Sequence, residues 1–152
     1  MKLINTFATE LPWACEPVAP QPLRAPRLLH LNQGLLRELG LDGIGEADWF
    51  ACCGLGQPLP GMQPVAQVYA GHQFGGYSPR LGDGRALLLG EQLAPDGQRW
   101  DLHLKGAGKT PFSRFGDGRA VLRSSIREYL ASEALHALGI PTTRALVLVG
   151  SD

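Results

Sequence analysis

Residues 100–138 read WDLHLKGAGKTPFSRFGDGRAVLRSSIREYLASEALHAL, and this stretch holds the two patterns that decide the fold. Its opening alternates: Trp100, Leu102 and Leu104 share one face while Asp101, His103 and Lys105 share the other, the period-two signature of a half-buried strand. A glycine-dense loop follows over 106–118. Residues 119–138 then place Leu122, Ile126, Leu130, Ala134 and Leu138 on one stripe of a helix, supplemented by Tyr129 and Ala137 and stopped by Gly139 and Pro141.

Working outward, 86–93 reads as a second strand, joined to the first by the turn APDGQ. It is preceded by a long glycine-dense loop, GHQFGGYSPRLGDG, and by a short strand over 67–70. A last hydrophobic strand is expected over 142–149. The order is strand, glycine loop, strand, strand ending in lysine, loop, long helix, strand. It predicts an α+β fold of antiparallel sheet and one principal helix, in the order of the small lobe of a protein kinase. Upstream, 10–26 holds five prolines, which predicts an extended arm in place of a helix or central strand. Asn32 is positioned to cap a short helix over 33–39 ended by Gly40, and a second short helix is expected over 46–53. We therefore divide the chain into an N-terminal extension, 1–63, and a lobe, 64–152. The stop soon after a hydrophobic strand leads us to expect a fragment, with a larger lobe following. GDGRA occurs twice, but no repeat of structural period is present.

With 152 residues, 44% hydrophobic and 18% charged, the composition is that of a soluble globular domain. Fourteen Lys and Arg balance 14 Asp and Glu, so no global basic field draws nucleic acid or an anionic membrane. No apolar run suits a signal peptide or a membrane span. Cys15, Cys52 and Cys53 form no metal-ligand spacing, and a reducing, cytoplasmic setting is expected. His72 and His103 also lack partners at metal-ligand spacing.

The chemistry therefore rests on local motifs. In Gly82-Asp83-Gly84-Arg85 two glycines flank one residue, which lets the backbone bring N–H groups to phosphate oxygens while Arg85 adds a forked charged contact. The same pattern also serves as a plain hairpin turn. Lys105 ends a rigid strand, where a kinase-like site needs a lysine for phosphates, paired with a carboxylate on the next helix; a solvated strand-end lysine has the same pattern. Periodicity leaves Glu128 and Glu133 both open as that carboxylate. GAGKT over 106–110 is no Walker loop, because His103 stands where the template needs its first glycine and Pro111 disfavours a helix at Thr110. Asp117 before the helix favours its dipole or reaches a ligand. Arg119, Arg123 and Arg127 form a basic ridge, as a solvated face or a phosphate contact.

The blocks YAGHQFGGYSPRLGDGRALLLGE and WDLHLKGAGKTPFSRFGDGRAVLRSSIREYLASEALHALGIPTTRAL resemble the selenoprotein O family, over 69–146. The resemblance implies a protein-kinase fold that transfers AMP from ATP, held in a flipped orientation, to Ser, Thr or Tyr hydroxyls of proteins. It implies ATP contacts at Gly82, Gly84, Arg85, Lys105, Asp117 and Gly118, with Glu128 as ion-pair partner of Lys105. It also implies that two more arginines, a catalytic Asp base and the Asn and Asp ligands of Mg²⁺ or Mn²⁺ lie in later sequence, so that these 152 residues alone are inactive and marginally stable. A kinase-like phosphotransferase and a non-catalytic nucleotide-binding scaffold are the alternatives.

Overall fold

The computed structural model describes residues 3–152; the first two residues of the extension lie outside the described residues. All strand pairings are antiparallel, and the fold is a mixed one of antiparallel sheets and few helices. At its centre is β7 (Ala86–Leu93), buried from Leu87 to Gln92. It pairs along one edge with β8 (Arg99–Lys105), placing Ala86 opposite Lys105. Its other edge takes β1 (Leu3–Ile4) and β4 (Val65–Gln67), and β2 (Cys15–Pro17) pairs outside β4. The β7–β8 register shifts between Leu88 and Gly90, a bulge at which Gly90 takes φ 143°. Exposure along β8 alternates, with Leu102 buried and Asp101, His103 and Lys105 exposed, as the sequence pattern requires.

The extension is built into this sheet. Glu91, a carboxylate buried within β7, accepts N–H groups of Thr6 (3.3 Å) and Phe7 (2.8 Å) at the start of α1 (Thr6–Glu10). Gln92 donates to the Leu39 carbonyl at 2.9 Å. A paired buried polar group contributes stability that the same group unpaired would take away. The main core joins both sides of residue 63: Trp49, Leu35, Leu36 and Leu41 pack in one cluster with Leu87, Leu89 and Leu102.

Asn32 caps α2 (Gln33–Glu38), its side chain accepting the Leu35 N–H at 3.0 Å. The second helix runs two residues longer than expected, as α3 (Glu46–Leu55), to a left-handed Gly56. The proline arm is not wholly free of structure. It makes a 3-10 turn at Pro12–Ala14 and the edge strand β2, a position where proline is tolerated. The strand expected at 67–70 lies instead at β4, and the glycine-dense loop folds a hairpin of its own, β5 (Gly71–Gln73) with β6 (Gly76–Ser78). The long helix, α4 (Leu122–Ala137), begins three residues later than expected because Gly118 takes φ 72° and Asp117 caps the Arg119 N–H in a turn. The last strand is only β9 (Val147–Gly150), and it pairs with β3 (Arg27–Leu31) of the extension.

The apolar stripe of α4 is not core. Leu122, Ile126, Leu130 and Leu138 are exposed, and Ser132 is the helix's buried residue. Polar anchors hold the helix instead. Glu133 takes Arg144 in a fork, from Nε and an NH2 group at 3.0 Å each, together with the Ala145 N–H at 2.9 Å and Asn32 Nδ2 at 3.0 Å. Arg144, 7% exposed, also reaches Glu38 of α2 at 2.8 Å. Burial pushes the Glu133 carboxyl up, but the bonds from Arg144, the Ala145 N–H and Asn32 outweigh it and hold it below the usual carboxylate range.

Arg144→Ala strands the Glu133 carboxylate and is expected to cost about 3 kcal/mol in urea denaturation. A depressed carboxyl stabilises the fold above its unfolded value of about 4.3 and ceases to do so as pH falls through the folded value. The denaturation midpoint should therefore hold from neutral pH to about pH 5 and drop below about pH 4, with a shallower drop in Glu133→Gln.

Candidate functional site

Two loops meet at the end of the β7–β8 pair. The turn 82–85 enters β7, and the loop 106–118 leaves β8. Their junction is made by backbone: Gly106 and Ala107 N–H both donate to the Arg85 carbonyl, at 2.7 and 3.2 Å. The backbones at Arg85 and Lys105 are thus brought to the same end of the sheet.

The turn owes its shape to glycine and to the opposite loop. Gly82 is left-handed, φ 68°, and a Cβ there would enter the Phe112 ring. A Cβ on Gly84 would lie 3.1 Å from the Phe112 carbonyl. Between them Asp83 is buried and turned inward. Its carboxylate accepts the Tyr69 hydroxyl at 2.9 Å and the Gln67 N–H at 3.2 Å, while its own N–H donates to Gln67 O at 2.9 Å. Burial first, and then the Asp83 carboxylate, push the Tyr69 phenol up to about 12, so it remains a donor through the neutral range. Two hydroxyls fasten the turn from the other side: Thr110 Oγ1 donates to the Asp83 carbonyl, and Ser113 Oγ donates to the Gly84 carbonyl at 2.6 Å. The N–H groups of Gly84 and Arg85 have no partner among the described residues, and neither does the exposed Arg85 guanidinium.

Lys105 Nζ lies 2.6 Å from both Glu128 oxygens. The periodicity of α4 leaves two glutamates open, and the structure separates them: Glu128 meets Lys105, while Glu133 is taken by Arg144. With side chains 45% and 56% exposed, the Lys105–Glu128 pair is solvated and weakly stabilising. Asp117 and Gly118 lie at the far end of the same loop. The Asp117 carboxylate accepts the Arg119 N–H at 2.9 Å. Gly118 is buried against Gly108, whose backbone a Cβ on Gly118 would overlap, and its carbonyl accepts the Gly108 N–H at 3.1 Å.

The rest of GAGKT behaves as a loop. Thr110 opens no helix, and Lys109 is exposed. Arg119 leaves the basic ridge altogether: its guanidinium donates to the carbonyls of Gln21, Gly106 and Pro22 at 3.0, 3.2 and 2.8 Å, fastening the proline arm to the loop. Between β8, β9 and α4 runs a cleft of about 1200 Å³, lined by Trp49, Trp100, Lys105, Arg119 and Glu128 among others. Lys105 lines this cleft, and the turn with its two free amide donors and Arg85 joins the same end of the sheet; amide donors and cations of this kind suit a polyanion such as a phosphate chain. Among the described residues no cluster of His, Cys, Asp and Glu could hold a metal ion, and no helix is long and apolar enough to cross a membrane.

Tyr69, Thr110, Phe112, Ser113 and Arg144 were not read as site or anchor residues from the sequence. Thr110 and Ser113 act through hydrogen bonds to residues 27 and 29 positions away, and no local pattern announces such partners.

The family model for protein adenylyltransferase SelO matches residues 5–152. Among curated proteins, a protein nucleotidyltransferase YdiU of Aeromonas salmonicida is 93% identical over 99% of the chain, and one of Aeromonas hydrophila is 91% identical over 100%. One of Bordetella petrii is 58% identical, again over the full chain. The chain spans 32% of the length of both Aeromonas relatives and 31% of the Bordetella one.

Packing and charge should separate under substitution. Gly82→Ala is expected to lower stability by about 2 kcal/mol, through backbone strain and the Phe112 contact. Glu128→Gln should change it by less than about 1 kcal/mol. Paired urea titrations of the two variants check both.

Proposed function

The chain belongs to the protein adenylyltransferase SelO family, and we propose that it supplies the phosphate-binding face of a site that transfers AMP from ATP to Ser, Thr or Tyr hydroxyls of proteins. The observation that carries this reading is the Lys105–Glu128 pair at the end of β8, where the turn bearing Arg85 and the unpartnered N–H groups of Gly84 and Arg85 joins the loop leaving that strand.

The neighbouring strands β4, β7 and β8, the glycine turn entering β7, the lysine ending β8 and the glutamate on α4 support a protein-kinase-like small lobe. In such a lobe the lysine is positioned by its glutamate and neutralises phosphate oxygens. Gly82 and Gly84 allow close backbone approach, Arg85 adds a forked contact, and Asp117 with Gly118 shapes the far end of the second loop against the ligand. In AMP transfer the acceptor hydroxyl gives its proton to a base as its oxygen bonds to the α-phosphorus, the α-phosphorus bond to the bridging oxygen breaks, and pyrophosphate leaves with the electron pair. Lys105 and Arg85 stabilise the charge that develops on the phosphates.

Among the described residues the carboxylates nearest these loops are committed to other partners. Asp83 is buried on Tyr69 and Gln67, Glu128 holds Lys105, and Asp117 caps a turn. Ligands for Mg²⁺ or Mn²⁺ and the catalytic base belong, on this reading, to the remaining two thirds of the polypeptide length found in the relatives.

The test is transfer of label to protein by the full-length polypeptide, with ATP labelled at either the α- or the γ-phosphate. Label arriving from the α position, and a loss on the order of 100-fold in Lys105→Ala at unchanged melting temperature, is the expected result. Label from the γ position alone would identify a kinase, and near-normal transfer by Lys105→Ala would remove that lysine from the mechanism.

A further inference from the structure

We propose that Thr110 and Ser113 are positioning residues whose hydroxyls aim the Gly84 and Arg85 N–H groups at the phosphates of the nucleotide. The inference rests on the phosphate-binding reading above and names what sets its geometry.

The argument starts from the planarity of the peptide unit. In a trans peptide the C=O and the following N–H point in opposite directions, and no cis peptide is present among the described residues. The carbonyl of Asp83 and the N–H of Gly84 share one peptide, and the carbonyl of Gly84 and the N–H of Arg85 share the next. Thr110 Oγ1 binds the first carbonyl and Ser113 Oγ the second. Both carbonyls are thereby drawn toward the loop 106–118, so both N–H groups are turned away from it. Two successive N–H groups facing the same way form a concavity for an anion.

Each hydroxyl has one proton, and each is committed. Thr110 Oγ1 donates to Asp83 O while accepting the Phe112 N–H at 3.1 Å. Ser113 Oγ donates to Gly84 O while accepting the Thr110 N–H at 2.8 Å. The short segment 110–113 is therefore closed on itself before it grips the turn, and its hydroxyl directions are fixed. Asp83 braces the turn from the opposite side through Tyr69 and Gln67. With both carbonyls held and both flanking glycines pressed on Phe112, the two peptides keep their orientation before a ligand arrives. Preorganised donors of this kind need no rearrangement when they meet developing charge.

Thr110→Val and Ser113→Ala remove the hydroxyls at nearly constant shape, while Thr110→Ser keeps the one at position 110. In the full-length polypeptide, calorimetric titration with ATP should show the Kd rising about tenfold in each hydroxyl-less variant, the scale of one charge-assisted contact. Thr110→Ser should stay within about twofold of wild type, although it loses the methyl group and part of the packing. KM for ATP should rise with Kd while kcat changes less. A Kd unchanged in Thr110→Val and Ser113→Ala would overturn the inference, as would an equal loss in Thr110→Ser, which would trace the effect to packing. Lys105→Ala serves as the separate control. If it binds ATP like wild type, the phosphate-binding reading itself fails, whatever the hydroxyl variants do. Should Thr110→Val not fold, Ser113→Ala decides alone.

Discussion

Arg144 holds together parts of the molecule that apolar packing leaves apart. The long helix α4 exposes most of its hydrophobic stripe and buries a serine, so the usual force that seats a helix on a sheet is weak here. A single guanidinium joins Glu133 of α4 to Glu38 of α2, and Asn32 completes the junction while capping α2. The forked geometry fixes the rotation of the helix as well as its distance, because an Arg–carboxylate pair has a plane and a direction. Glu128 lies five positions before Glu133 on the same helix, so the anchor at one sets where the other points.

The two glutamates show how burial divides labour between groups of the same chemistry. Glu133 is largely buried and has every oxygen occupied, so its charge is spent on structure. Glu128 is more than half exposed and meets one half-exposed ammonium. A solvated pair adds little to stability, and for that reason it can exchange partners at little cost. On the proposed reading, a lysine that keeps its glutamate while also facing phosphate is better served by such a pair than by a buried one.

Much of the scaffold was legible in the sequence because it is encoded locally. The alternation in 100–105, the apolar opening of β7 at 86–89 and the Asn32 cap each depend on near neighbours in sequence. The hairpin β5–β6 was hidden inside a glycine-dense loop because its strands are three residues each, too short to show a period. The helix start was misplaced because Arg119 and Ala120 have good helix propensity, while a left-handed Gly118 and the three carbonyls gripping Arg119 hold that segment in a turn. The choice between Glu128 and Glu133 was undecidable from periodicity, since the residue that settles it, Arg144, lies beyond the helix. The grip of Thr110 and Ser113 on the glycine turn is likewise a long-range fact.

The tight seam between the two loops also changes how natural variation in this region should be interpreted. At Gly82 and Gly118 any side chain would collide with a ring or a backbone, so purifying selection would hold both positions fixed whether or not a nucleotide were ever bound. Their invariance in a lineage carries no information about ligand use. Arg85 and Lys105 are the opposite case: exposed, unneeded by the core and free to drift if the site falls idle. On the proposed reading, decay of the site in a descendant gene should leave its first mark at those two cations, while the glycines beside them persist as long as the fold does.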